Sequence, residues 1–150
     1  MSNYRSRPKG NYNQEATWEE LQILTERWKN SLEFYAFEIA FLEILIETYF
    51  VKLLLQENFD VLRELQKDIS EAKKQCKNMQ QSILNHITHI ANIINEPFNN
   101  STISFRYTHE IFEDEISEFK ALLKVLKYTV FKITKNILES EKPQFIWKYN

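Results

Sequence analysis

Three histidines, His86, His89 and His109, are the residues of this chain best suited to chemistry. Imidazole ligates metals, moves protons and titrates near neutral pH. His86 and His109 each fall on the apolar line of a helical segment, while His89 stands one turn after His86 and off that line. A metal site would draw on these and on Glu110 or Glu113. Mononuclear zinc needs three or four converging ligands. A helical di-iron centre needs inward glutamates and Glu-x-x-His pairs, but the residues three before His86 and His109 are Ile83 and Arg106. The other reading is a hydrogen-bonded histidine layer that sets helix register, as a buried polar residue does in a coiled coil. The missing ligands favour the layer, with no metal and no cofactor. A titratable pair in a core could also serve as a pH switch.

Other reactive groups carry less. Cys76 sits among Ile69, Ala72 and Met79 on its apolar line and reads as a small buried hydrophobe. Glu43 and Glu47 lie one turn apart, as acids on solvated helix faces commonly do. There is no Gly-rich phosphate loop, no serine elbow and no helical zinc-protease motif. No catalytic residue is assigned, and the chain is expected not to be an enzyme.

The elements that position these groups are long helices. The 150 residues suit one domain, and a single Gly with three Pro leaves little material for turns. Residues 1–16 are polar and carry Arg5, Arg7 and Lys9 without apolar periodicity, so they read as a disordered basic arm. Thr17 and Glu20 have capping-box spacing. From there a seven-residue repeat runs Trp18, Leu21, Thr25, Trp28, Leu32, Tyr35 and onward to Leu53. A second repeat runs from Leu62 to Ile93, after a break at 57–60 with Asn58 or Asp60 as N-cap. A third runs from Phe105 to Ile137. Ile103–Tyr107 alternates and could begin extended, but the repeat favours helix from Ser104. Acids come early and lysines late in this segment, matching the helix macrodipole. Pro143 is expected to end it, leaving 143–150 as an aromatic tail that folds back on a bundle end.

The fold class is therefore all-α: an antiparallel up-down-up three-helix bundle with long, coiled-coil-like helices at about 17–56, 59–95 and 104–141 of a domain spanning 17–142. Folding about Pro97 and Asn58 brings Thr25, Trp28, His86 and His109 to one level, a polar layer inside the core.

The first helix also carries a second stripe: Phe34, Phe37, Phe41, Ile44, Thr48, Val51 and Leu55. On a helical wheel it lies more than a right angle from the core stripe. Phe34–Leu55 is long enough to span a bilayer. However, Glu38, Glu43, Glu47 and Lys52 lie within it, and each such charge costs roughly 2.5–3.5 kcal/mol near the centre against about 0.3–0.6 gained per large aliphatic. The stripe is expected to be an interface, for a homo-oligomer or another helical protein. The plainer alternative is a wide core with the aromatic tail covering it. Peripheral membrane contact is disfavoured by Glu43 and Glu47 beside the stripe.

The run Trp28-x-x-x-Leu32-x-Phe34, followed by Glu38-x-x-Phe41-Leu42-x-x-Leu45 and Tyr49, resembles a group of small uncharacterised three-helix proteins of Flavobacteria-like bacteria. The Cys76…His86 and Tyr107…His109 segments are similar too. The resemblance implies a three-helix fold across most of 17–140 and attaches no activity to it. The net charge of −2 gives no pull towards nucleic acid or an acidic membrane. One cysteine and an N-terminus without an apolar core segment point to the cytoplasm. The expected function is a non-enzymatic association module, with a metal- or small-ligand-binding bundle built on the histidine layer as the alternative.

Overall fold

Capping chemistry fixes where the helices begin. In the computed structural model, which describes the backbone of residues 15–96 and 102–149 and the side chains of 15–96 and 103–139, they are α1 (Trp18–Leu54), α2 (Phe59–Asn95) and α3 (Thr102–Tyr149). Thr17 caps α1: its hydroxyl accepts from the Glu20 amide at 3.1 Å and its own amide donates to Glu20 Oε1 at 3.0 Å. Those bonds hold the Glu20 carboxyl below its ordinary range. Asn58 caps α2 by accepting from the Asp60 amide at 2.8 Å, so Asn58 and not Asp60 is the cap. Between them the chain turns with Gln56 and Glu57 amides donating to the Leu53 carbonyl at 3.0 and 2.8 Å.

Two side-chain contacts show that α2 runs against α1: Lys73 meets Glu43, and the Cys76 thiol donates to the Leu32 carbonyl at 3.5 Å. Two others show that α3 runs with α1: Arg106 reaches the Ala16 carbonyl at 2.8 Å, and Lys127 meets Glu38. The architecture is thus the three-helix bundle expected, all-α among the described residues. α1 and α2 pack most closely and α2 and α3 least. Small residues explain the first, since buried Ala72 and Cys76 let α2 approach the α1 backbone. Bulk explains the second, because Phe105 and Phe119 of α3 are fully buried. The core is continuous from Trp28 through Leu42, Ile69 and Phe119 to Ile137, with a smaller cluster of Leu21, Ile90, Ile93 and Phe105 at one end. Each such aliphatic contributes about 1.5–3 kcal/mol through burial.

Three boundaries differ from expectation. Ala16, placed in the basic arm, is buried and its carbonyl is bonded, so order begins before Thr17; residues 1–14 lie outside the described part. α3 begins at Thr102, without the extended start that Ile103–Tyr107 allows. Phe105 is buried while Ile103 and Tyr107 are exposed, which a helix achieves as well as a strand when only one residue of the three must point inward. Finally, α3 does not stop at Pro143; its backbone is helical to Tyr149. Proline's fixed φ of about −65° is itself helical, and it removes only one donor, the bond to the carbonyl four residues back. Helix α3 therefore outlasts its neighbours, 48 residues against 37, and the expected separate tail is replaced by its last turns.

Candidate functional site

The histidine layer forms where α2 and α3 cross the lower end of α1. His86 Nε2 and His109 Nδ1 are 2.9 Å apart, and both rings are buried. One neutral ring donates its N–H to the bare nitrogen of the other. Aromatic walls hold them. Phe105 lies flat on His86 at 4.2 Å and 3°, and Phe112 meets His86 edge-on at 4.8 Å. Trp28 of α1 stacks against His109 at 4.4 Å. Thr25 is also fully buried, and its hydroxyl donates to the Leu21 carbonyl at 2.7 Å, satisfying itself on its own helix. Trp28, His86 and His109 thus meet in the core, and Thr25 is buried one turn before Trp28. His89 stays exposed, touching the edge of Phe105.

Burial among these rings pushes the His86 pKa down to about 4, with the charge of His89 adding to the effect. His86 is therefore neutral at pH 7. Glu113 is buried one turn along α3 from His109. No group of three or more His, Cys, Asp or Glu side chains converges as a metal site among the described residues. The pair itself suits a hydrogen bond better than shared ligation: two nitrogens bound at about 2.0–2.1 Å to one tetrahedral ion stand farther apart than 2.9 Å. Cys76 is buried, and burial raises its thiol pKa, leaving it protonated and bonded to Leu32.

Beyond the layer, at the start of α1, Arg106 lies 4.0 Å over the Trp18 ring and Trp18 meets Phe105 edge-on at 5.7 Å, closing the end of the bundle. Along the α1–α3 seam the Glu38 carboxylate accepts from Lys127 Nζ at 2.6 Å with both groups mostly buried. The pairing was missed in sequence because it joins residues 89 apart; the legible signal was an acid, Glu38, next to the core position Ile39.

The outer stripe of α1 is the second candidate. Phe34, Phe37, Phe41, Ile44, Val51 and Leu55 are 52–85% exposed, and Thr48 is exposed with them. Nothing in the described chain covers it. Sequence reasoning did not find its continuation on α3. Phe131 and Lys127 join Phe34, Phe37 and Phe41 around an apolar groove of about 260 Å³. Leu122, Val125, Tyr128 and Phe131 are all exposed too. Steps of three residues drift by about 60° each around a helix of 3.6 residues per turn, so this row crosses the outside of α3 from the α2 side to the α1 side. Its members belong to no single heptad face, which is why the core repeat hid them. A wider groove of about 450 Å³ lies at the other end of that row, between Leu65, Ala72, Leu122 and Val125.

The fold and these surfaces define a class, a three-helix bundle with a polar core layer and an apolar outer face. Comparison with protein-family models, curated proteins and solved structures yields no match to this chain. Among the described residues no helix is long and apolar enough to cross a membrane.

Proposed function

We propose that the chain is a non-enzymatic association module that acts through the outer face of α1, as a homo-oligomer or with another helical protein. The observation that supports this is the stripe itself: six large apolar side chains, each more than half exposed, in one continuous row. A contiguous apolar surface of this kind costs free energy in water and marks an interface. The heptad spacing of the row is that of a coiled-coil seam, so the complementary surface is another helix. Multi-angle light scattering on a size-exclusion column is expected to give at least twice the chain mass. A strictly monomeric chain would leave only the partner-binding half of the reading.

The histidine layer favours a second reading, a bundle that binds a metal or small ligand in its core. The short His86–His109 contact and the aromatic walls argue that these rings are structural. Adding zinc in excess is expected to leave the melting temperature unchanged; a rise of several degrees that disappears in His86→Ala would restore the ligand reading.

A further inference from the structure

The stripe is self-complementary in two ways. Its alternating steps of three and four let two copies of α1 meet in parallel, each residue against its own copy. An antiparallel pair also works, with Phe34 against Val51, Phe37 against Thr48 and Phe41 against Ile44. Apolar pattern alone does not choose, but the charges on either side do.

Counting the charges of α1 and α3, the two edges of the stripe have opposite sign, while α2 sets the exposed Lys77, one turn after Lys73, behind the acidic edge. On the α2 side stand Glu33 and Glu47, two heptads apart and hence on one face of α1. Glu47 borders a groove shared with Glu43 and with Gln66 and Ile69 of α2, and the Lys73 ammonium there is already held by Glu43 at 3.1 Å. On the α3 side stands Lys127, beside the phenyl rings of the stripe and held by Glu38 of the same groove, so the unpaired charge on that side comes from the lysines before it. Lys124 and Lys120 precede it by three and seven residues and so lie on the same side of α3. Glu33, Glu47, Lys120 and Lys124 are all exposed and make no ion pair with another described residue. The register between α1 and α3 is set by the ring contact of Tyr35 with Phe119 at 6.1 Å and by the Glu38–Lys127 pair. Lys120, next to Phe119, therefore stands near the level of Glu33, two residues before Tyr35.

A two-fold axis along the helices brings opposite edges together: the acidic edge of each copy meets the basic edge of the other. A two-fold axis across the helices brings like edges together, acid on acid and lysine on lysine. Like charges facing across an interface reject that arrangement. Thr48 agrees with this choice. In parallel register its hydroxyl meets the hydroxyl of the second Thr48, whereas the antiparallel register sets it against the Phe37 ring. A single polar residue in an apolar seam selects the register in which it finds itself.

Resting on the association reading above, we propose that the occupant of the α1 face is a second copy of this chain. The two copies lie parallel and in register about a two-fold axis along the bundle, with Glu33 of each facing Lys120 of the other.

The test uses the full chain with Cys76→Ala and Thr48→Cys, oxidised with diamide. In the parallel dimer the two introduced thiols adjoin, and most of the chain is expected to run as a disulfide dimer on a non-reducing gel. A gel dimer that appears only when Thr48→Cys is mixed with a Phe37→Cys chain would overturn the parallel arrangement while leaving self-association standing. A monomer by light scattering at about 100 µM would overturn the second copy as occupant and leave the face to a different protein. Charge reversal supplies an independent sign. Glu33→Lys is expected to weaken the dimer by roughly ten-fold, given two exposed pairs per dimer, and Lys120→Glu added to it to restore the affinity. Tighter association of Glu33→Lys alone would overturn the proposal, because that is the antiparallel result.

Discussion

Unfolding free energy, measured by urea titration at a series of pH values, is expected to fall by about 2 kcal/mol between pH 7.5 and pH 5, and by roughly 3 kcal/mol by pH 4. The cause is His86. Its pKa is about 4 in the folded chain against an ordinary 6.5. Between those values the unfolded chain binds a proton at His86 and the folded chain does not, so stability rises with pH across that window. The contribution is fully present above 6.5 and is lost as pH falls towards 4. The groups facing His86 sharpen the effect. His109 from α3 shares one hydrogen bond with it, so the pair accepts a single extra proton without setting two N–H groups against each other. His89 on α2 adds a like charge when protonated. From α1 comes the Trp28 ring, stacked on His109; buried Glu113 and half-buried Arg106 lie on α3 near by. The window from pH 7.5 to pH 5 separates this titration from that of ordinary carboxylates, which protonate lower. The variant His86→Leu is expected to be less stable at pH 7, since the His109 nitrogen loses its partner, but to lose most of the slope. An unchanged slope in that variant would show that another group carries the proton. Protein concentration must be held constant, because association adds stability by mass action.

The double variant Phe37→Glu/Phe41→Glu is expected to be monomeric at concentrations where the natural chain associates, a loss of at least 100-fold in affinity. Two carboxylates per copy in the centre of a desolvated seam face either each other or apolar rings, and one uncompensated buried charge alone costs about 3–5 kcal/mol. The folded monomer should keep its helices, because Phe37 and Phe41 are 81% and 52% exposed and belong to neither core cluster. Far-UV circular dichroism should therefore show unchanged helicity alongside the mass of one chain. A variant that remains associated at natural affinity would move the interface elsewhere, and the row from Leu122 to Phe131 on α3 would be the next surface to alter. Loss of helicity together with loss of association would instead mark an obligate dimer.

Much of the fold was legible because it is written in local periodicity. The repeats on α1, α2 and α3 predicted the buried positions Leu21, Leu32, Leu42, Ile69, Cys76, Ile83, Phe119 and Leu126, since a residue on an amphipathic stripe has only one side to face. The meeting of His86 and His109 was legible for the same reason: fixed helical rise and a short connection equate levels on neighbouring helices. Pro143 misled because the local rule weighs one lost hydrogen bond and one ring–carbonyl clash, about 3 kcal/mol, and the helix continues through it. Ala16 and Phe131 were missed because what defines each is a neighbour far along the chain, Arg106 for one and the phenyl groove of α1 for the other.

The sequence by itself determined that this protein is three long helices, which face of each is apolar, and that α1 has one apolar face more than a three-helix core needs. Those are properties of spacing along a helix, and spacing is local. Only the tertiary structure decided that the histidines bond to each other at 2.9 Å and that Lys127 of α3 closes on Glu38. The same is true of the groove that Lys127 and Phe131 of α3 form with the phenyl rings of the outer stripe. Those depend on how far each helix is rotated and slid against the next. That is settled by the packing of Ala72, Cys76, Phe105 and Phe119 across the core, and no single stretch of sequence contains it.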